Sequence, residues 1–222
     1  MTKPVVGSEY YDLQKRAKEA EWYETPVWAA ERILDYEIMP DRVLDPCAGR
    51  GVLGNALIAK GYYPRNIAEI DLNRWPGQPG RVCAPIDFLS QTIRDELFPI
   101  TAGWAGHDFG VMMNPPFSKT CEFVQQCFDL GARKIIMFQR FNFLESATRA
   151  EFFQELPPAR IWLCGDRAHS WRGDMPEEDM IDEKGELVKG KKGRSSPTAH
   201  CWMVWERGHR GNMAVHHLYR ER

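Results

Sequence analysis

The sequence feature that most constrains the fold is a hydrophobic run that ends abruptly in two prolines. Residues Phe109–Met113 form a short apolar run, which is typical of a strand buried on both faces of a parallel sheet. Asn114-Pro115-Pro116-Phe117 follows at once, and two prolines cannot continue a hydrogen-bonded ladder. The strand is therefore expected to end in a rigid loop. In an open α/β sheet, this carboxyl edge is where ligands bind.

The loop carries an amide at its start and an aromatic ring at its end. The Asn114 side-chain oxygen and the Pro115 carbonyl can both accept hydrogen bonds from one exocyclic amine, and Phe117 can stack on the planar ring that carries the amine. An amine held in this way has its lone pair freed from the ring and becomes a nucleophile. Taken alone, the four residues are equally compatible with a plain turn that terminates a strand.

The composition predicts a globular chain. With 222 residues and 43% hydrophobic content, the chain suits one domain, or one domain with a modest insertion. It has no run of 18 apolar residues and no signal peptide, so we expect a soluble, intracellular protein. The six cysteines are scattered, and His216-His217 has no ligand partners nearby in sequence, so we expect reduced thiols and no metal site.

The net charge of −2 does not by itself indicate a nucleic-acid-binding protein, but the charge is unevenly distributed. Residues 1–130 carry 13 basic and 18 acidic side chains, whereas residues 131–222 carry 16 basic and 13 acidic ones. A polyanion is therefore expected to meet the second part of the chain more than the first. Ordinary surface variation explains the same asymmetry.

A glycine-containing loop follows another predicted strand. Val43–Leu44 leads into Asp45, then into a turn with Gly49 and Gly51 and a helix. The two glycines allow the backbone to approach a ligand closely. Together with Gly54 they partly match the dinucleotide-binding pattern, so an NAD-binding fold competes with other interpretations. The position of Asp45 argues against it, because a carboxylate at the strand end repels a pyrophosphate.

Two further segments have the character of a ligand site. Thr25 is a good N-cap and Pro26 suits the first position of a helix over residues 27–34. The predicted second strand, Asn66–Asp71, ends in acidic residues of the kind that bind ribose hydroxyls.

Asn114-Pro115-Pro116-Phe117 resembles the catalytic loop of S-adenosylmethionine-dependent amino-methyltransferases, which methylate adenine N6, cytosine N4 or a glutamine side-chain amide. The order of segments over residues 22–205 is similar to the gamma arrangement of these enzymes, and the chain resembles small phage or prophage DNA N6-adenine methyltransferases. The resemblance implies an α/β class I methyltransferase (Rossmann-like) fold, a doubly wound sheet that is mostly parallel with an antiparallel last strand. The alternation of strands and helices with short links agrees with it. We expect Ala199–Trp205 to be that last strand, at the sheet edge, followed by a polar tail.

The resemblance also implies roles for individual residues. Asp45 pairs with the ammonium group of the cofactor's methionine, and Glu69 rather than Asp71 binds the ribose. Ile70 lies against the adenine, which also contacts the Asp87-Phe88 pair. The implied cofactor-binding residues are Tyr23, Thr25, Pro26, Asp45, Cys47, Ala48, Gly49, Gly51, Glu69, Ile70, Asp87, Phe88 and Asn114. The implied catalytic residues are Asn114, Pro115, Pro116 and Phe117.

Residues 165–199 have a different composition from the rest of the predicted single domain, residues 1–222. They are rich in glycine and charge, and we interpret them as a mobile insertion that contacts the substrate. Their basic stretch binds phosphate or serves as a solvated linker. Trp171 stacks on an unpaired base or packs against the sheet. The candidate substrate contacts are Phe117, Lys119, Arg167, Trp171, Arg172, Lys191, Lys192 and Arg194.

The expected activity is methyl transfer from S-adenosylmethionine to the N6 amine of adenine in DNA, by base flipping and without a metal. The same chemistry on cytosine N4 or on RNA is an alternative. A protein glutamine methyltransferase is disfavoured because its loop usually ends in Tyr rather than Phe117. A degenerate binding subunit is disfavoured by the intact set Asp45, Gly49, Gly51, Glu69 and Asn114. The expected partner is DNA, with RNA as an alternative and no membrane. The expected location is the cytoplasm of a bacterial or phage-infected cell, in the manner of restriction-modification systems.

Overall fold

The computed structural model describes residues 20–166, 168, 170–172 and 199–221, and for Trp171 and Arg172 it describes the backbone alone. The strands are β1 (Tyr23–Glu24), β2 (Arg42–Asp45), β3 (Ile67–Glu69), β4 (Phe109–Met113), β5 (Lys134–Arg140), β6 (Arg160–Cys164), β7 (Trp171–Arg172), β8 (His200–Glu206) and β9 (Ala214–Leu218). The α-helices are α1 (Val27–Ile33), α2 (Val52–Ala59), α3 (Ile93–Thr101), α4 (Thr120–Leu130) and α5 (Ala150–Glu155). No helix of the described residues is long and apolar enough to cross a membrane.

Seven strands form one sheet in the order β3-β2-β4-β5-β8-β6-β9, and β1 pairs with β7 in a separate antiparallel ribbon. Strands β3, β2, β4 and β5 are mutually parallel, and β8 is antiparallel to both of its neighbours. The predicted fold class, a mostly parallel α/β sheet with an antiparallel strand near its end, is confirmed.

The position of the antiparallel strand differs from the prediction. Strand β8 lies inside the sheet, between β5 and β6, because its residues from Cys201 to Trp205 are buried and require cover on both sides. The edge is formed by β9, which pairs in parallel with β6 and lies in the stretch that the sequence presents as a polar tail. Four of its five residues are exposed and only Leu218 is buried, so no hydrophobic pattern marks it as a strand.

The core lies in two layers because successive side chains of a strand point to opposite faces of the sheet. Val111, Met113 and Ile135 belong to the cluster on one face, whereas Met112 and Ile136 belong to the cluster on the other. All five are fully buried. This double burial fixes the ends of β4 and β5, and therefore fixes the loop that follows β4.

One local prediction is corrected by the structure. The N-cap of α1 is Pro26 rather than Thr25, and the Pro26 carbonyl accepts hydrogen bonds from the first turn of the helix. After β3, the chain forms one isolated bridge, between Ile70 and Cys83. Before β6, the helical segment consists of the 3-10 turn Ala147–Arg149 and the short α5.

Candidate active site

The carboxyl ends of β2 and β4 open into a cleft of about 480 Å³, which also receives the segment around β1. A parallel sheet brings these ends to the same edge, so segments far apart in sequence meet there. The predicted cofactor-binding residues that line this cleft are Tyr23, Thr25, Asp45, Cys47, Ala48, Gly49, Asp87, Phe88 and Asn114. The structure therefore brings together the Thr-Pro segment, the glycine loop, the Asp-Phe pair and the proline loop.

Asp45, the last residue of β2, is 0% exposed, and one of its carboxylate oxygens has no partner among the described residues. Its Oδ1 atom accepts a hydrogen bond from the Cys47 N–H at 3.2 Å, whereas Oδ2 bonds to none of the described residues. Burial raises the pKa of Asp45 well above its ordinary value, and the nearby Glu69, Asp71 and Glu24 carboxylates raise it further. A buried carboxylate in this situation is stabilised by a cationic donor. The ammonium group of a methionine moiety fits this requirement.

Asp71 holds the glycine loop against the cleft. Its Oδ2 accepts the Gly49 N–H at 2.9 Å, and its Oδ1 accepts hydrogen bonds from the Asn73 N–H at 2.8 Å and the Trp75 indole at 3.1 Å. Burial raises the pKa of Asp71, and these three donors oppose that rise. The resemblance assigns the ribose to Glu69 rather than Asp71, whereas in the structure Asp71 lines the cleft.

Glu69 does not line the cleft, although the resemblance assigns it to the ribose. Its carboxylate forms an ion pair with Arg81, and a Cβ atom at Gly54 would collide with it. Arg81 also donates to the Gly51 carbonyl at 3.1 Å. Ile70 is fully buried in the core and likewise lies outside the cleft. Of the two acidic candidates near the end of β3, Asp71 is therefore the one that a ligand in the cleft can reach.

The amide of Asn114 has a defined orientation. Its Nδ2 atom donates to the Tyr23 carbonyl at 2.7 Å and to the Thr25 hydroxyl at 2.9 Å. A carbonyl oxygen can only accept, so the NH2 side of the amide faces β1. The Oδ1 atom accepts no hydrogen bond from the described residues, and neither does the Pro115 carbonyl. Two acceptors are therefore available at the start of the loop, and their use in binding one amine stays a prediction.

The ring of Phe117 lies beside that of Tyr23, with centroids 6.0 Å apart and planes inclined by 19°. Behind the loop, the Thr120 hydroxyl donates to the Phe117 carbonyl at 3.1 Å and accepts from Gln139 Nε2 at 2.7 Å. Thr120 and Gln139 are each 1% exposed. This buried relay ties the end of the proline loop to β5.

The Asp87-Phe88 pair lines another part of the cleft wall. The Asp87 carboxylate accepts the Leu89 N–H at 2.9 Å and is otherwise exposed. Phe88 is buried and contacts Phe123 with ring centroids 5.1 Å apart. An exposed acceptor next to an aromatic wall matches the needs of an adenine ring.

Several candidate residues are not brought to the cleft. Pro26, Gly51, Glu69 and Ile70 do not line it, and neither do Pro115 and Phe117. The candidates Arg167, Lys191, Lys192 and Arg194 lie outside the described residues. The backbone of Trp171 and Arg172 pairs with Glu24 and Tyr23, which places the start of the predicted insertion beside the cleft segment. Lys119 lies at the cleft and contacts Glu122 at 3.4 Å.

Two tryptophans of the cleft wall were not foreseen. The rings of Trp22 and Trp75 stack at 4.1 Å, and the Trp22 indole donates to Glu24 at 3.0 Å. A Cβ atom at Gly49 would lie 3.2 Å from the Trp22 indole nitrogen, so the absence of a side chain at Gly49 leaves room for this ring. In the sequence, the only indication that a tryptophan lies at the cleft was the position of Trp22 just before Tyr23.

Among the described residues, no group of three or more His, Cys, Asp or Glu side chains is arranged to hold a metal ion. All six cysteines are free thiols. Burial raises the pKa of the Cys47 thiol well above its ordinary value, and the neighbouring carboxylates add to the rise. Cys47 therefore lines the cleft as a neutral group.

Comparison with known proteins supports the fold. No protein-family model and no curated protein matches the chain. A predicted O-methyltransferase from Agrobacterium tumefaciens is similar with a TM-score of 0.51 and 14% identity, over 87% of this chain and 86% of that one. This similarity and the strand order show that the chain has the class I methyltransferase fold.

Two more solved structures are similar at lower TM-scores. A type I restriction-modification methyltransferase subunit from Streptococcus thermophilus has a TM-score of 0.49 and 12% identity, over 90% of this chain and 48% of that one. A SAM-dependent O-methyltransferase from Thermotoga maritima has a TM-score of 0.38 and 14% identity, over 95% of this chain and 69% of that one.

Proposed function

We propose that the protein transfers the methyl group of S-adenosylmethionine to an exocyclic amine of a nucleobase, namely the N6 amine of adenine in DNA. The observation that carries this proposal is the orientation of Asn114. Its NH2 group donates to the Tyr23 carbonyl and the Thr25 hydroxyl, which leaves its Oδ1 atom available as an acceptor. An acceptor paired with the Pro115 carbonyl suits an NH2 group rather than a hydroxyl.

The cleft suits the methyl donor. S-adenosylmethionine carries a methyl group on a positively charged sulfonium, which makes the methyl electrophilic. Asp45 supplies the buried carboxyl partner for the ammonium group, and the glycine loop, with Gly49 and Gly51 at positive φ, forms the turn beside it. Asp87 and Phe88 line the end of the cleft that we assign to the adenine moiety. The Asp45 and Asp71 carboxyl groups, once ionised, also favour a cationic ligand over a neutral one.

The residues of the proline loop act by positioning. Asn114 Oδ1 and the Pro115 carbonyl accept the two N–H bonds of the target amine and draw its lone pair away from the ring. Phe117 packs on the base, which is swung out of the duplex because a paired amine is inaccessible. The amine nitrogen would then attack the methyl carbon as the carbon–sulfur bond breaks, which leaves the neutral thioether S-adenosylhomocysteine. The methylated amine would lose its proton to solvent after the new N–C bond has formed. Catalysis of this kind rests on orientation and electrostatics, with no base of unusual pKa.

The test uses methyl-labelled S-adenosylmethionine with duplex DNA, single-stranded DNA, RNA and protein extract as separate acceptors. Nucleic acid is digested to nucleosides and the products are identified by mass spectrometry. N6-methyladenine in DNA supports the proposal. N4-methylcytosine in DNA would keep the proposed chemistry but make cytosine the target base. Label found only in RNA or protein would refute DNA as the substrate. Absence of label with the cofactor still bound indicates a binding subunit.

The Asn114→Ala variant tests the catalytic loop. Transfer should fall by at least about a hundredfold, as for other polar groups that stabilise a transition state. Cofactor binding should weaken by no more than about tenfold, because two neutral hydrogen bonds are lost. Asn66→Ala, at the opposite edge of the sheet, is the matched control and should leave both quantities unchanged. Near-normal turnover of Asn114→Ala would refute the assignment.

A further inference from the structure

Arg140, the last residue of β5, lies against the two aromatic rings of the site. Its guanidinium carbon is 4.4 Å from the centre of the Phe117 ring and 5.8 Å from the centre of the Tyr23 ring. The position follows from the topology, because β5 pairs in parallel with β4 and their carboxyl ends lie side by side. The side chain therefore stands beside the proline loop.

The guanidinium of Arg140 has no acidic partner among the described residues. Its backbone N–H donates to Gln139 Oε1 at 2.7 Å, but its side-chain nitrogens make no hydrogen bond there. By contrast, Arg81 is paired with Glu69, and Arg160 with two carboxylates. A guanidinium carries five N–H donors in a rigid plane. Arg140 is half-buried, so it holds these donors at the site without an acceptor from the described chain.

We infer that Arg140 is a substrate-binding residue that contacts a phosphate group next to the target base. The inference rests on the proposed function, because it requires a nucleic-acid acceptor. Contact with the Phe117 ring holds the guanidinium beside the proline loop before the substrate arrives, so less side-chain freedom is lost on binding. A phosphate accompanies every nucleotide and matches the planar fork of an arginine. Arg140 then anchors the strand while Asn114 holds the amine.

The test compares Arg140→Gln, Arg140→Lys and a matched control, Arg65→Gln. Arg65 also lies over an aromatic ring, 5.2 Å from the centre of Tyr63, but it precedes β3 and lies at the opposite edge of the sheet. The substitution removes the same charge and the same kind of contact there. The measurements are the KM for duplex DNA, the salt dependence of DNA binding and the Kd for S-adenosylmethionine.

For Arg140→Gln we expect the KM for DNA to rise about tenfold or more, as for loss of a charged hydrogen bond. The slope of log binding constant against log salt should shrink by about 1, the change for one phosphate contact. The cofactor Kd should stay within about twofold of wild type. Arg140→Lys should keep the slope, because the charge remains, and recover part of the DNA affinity. Arg65→Gln should match wild type.

An unchanged KM and salt slope in Arg140→Gln, with wild-type protein active on DNA, would overturn the role of Arg140 and leave the proposed function intact. Equal losses in Arg140→Gln and Arg65→Gln would also overturn it, since a general effect of charge would then explain the data. If the wild-type protein methylates only protein, the proposed function fails and the role of Arg140 fails with it.

Discussion

Replacing Asp45 with asparagine tests the assignment of the cofactor ammonium group. Asparagine has nearly the same shape but no charge. A charged hydrogen bond contributes about 1.5–3 kcal/mol, so the affinity for S-adenosylmethionine should fall about 10- to 150-fold. In the absence of ligand, the Asp45→Asn protein should be more stable than the wild type. The folded-state pKa of Asp45 is raised, so at neutral pH its ionised form destabilises the fold, and asparagine removes that charge.

The assay combines isothermal titration calorimetry with thermal unfolding in the absence of ligand. Methylthioadenosine, which has the nucleoside and the sulfur but no amino acid group, serves as the second ligand. Asp45→Asn should leave its affinity unchanged, because the lost contact is to the ammonium group. Asp41→Asn is the matched control, since Asp41 is exposed and lies just before the start of β2.

Two results would refute the reasoning. One is an equal loss of affinity for S-adenosylmethionine and methylthioadenosine in Asp45→Asn, which would point to damage of the whole cleft. The other is unchanged affinity for both ligands, which would mean that the buried oxygen of Asp45 does not face the ammonium group.

Three further predictions follow from buried polar groups. Binding of S-adenosylmethionine should release a proton from Asp45 and should strengthen as the pH rises, because burial raises the pKa of the free carboxyl and a bound ammonium lowers it. Calorimetry in buffers of different ionisation enthalpy measures the proton release, and Asp45→Asn should abolish the release. Thr120→Val should cost about 1–3 kcal/mol in denaturant unfolding, since Gln139 loses its acceptor; an unchanged midpoint would contradict the relay. Glu37, 3% exposed and paired with Lys134 and Arg160, keeps a pKa of about 2 against an ordinary 4.5. It should therefore contribute about 3 kcal/mol above pH 4.5 that is lost as the pH falls toward 2, and the acid limb of the stability curve should flatten in Glu37→Gln.

The proline loop and the glycine loop could be predicted because their signals are local. Two prolines after a buried strand must end that strand, whatever surrounds them. The parallel order of β2, β4 and β5 then brings both loops to one edge of the sheet. Asp45, Gly49 and Asn114 reach the cleft for this reason.

The choice between Glu69 and Asp71 could not be read from the sequence. Which carboxylate faces the cleft depends on Arg81, twelve residues after Glu69, whose guanidinium occupies the Glu69 carboxylate. The strand β9 was missed for a different reason, because an edge strand with exposed side chains on both faces has no hydrophobic period. Both outcomes are set by tertiary partners that no short window of sequence contains.

The contact between Asn114 and β1 links the two halves of the site. The Tyr23 carbonyl and the Thr25 hydroxyl both belong to the segment that lines the cofactor cleft, and both accept from the amide that is proposed to hold the target amine. If the segment moved away, the amide would lose the bonds that set its orientation, and its NH2 group could turn toward an amine that it cannot bind. A ligand that orders β1 therefore also orders Asn114 as an acceptor. If the chain acts as proposed, we therefore expect the methyl donor to bind before the acceptor base, because residues of the donor's cleft orient the amide that is to hold the base.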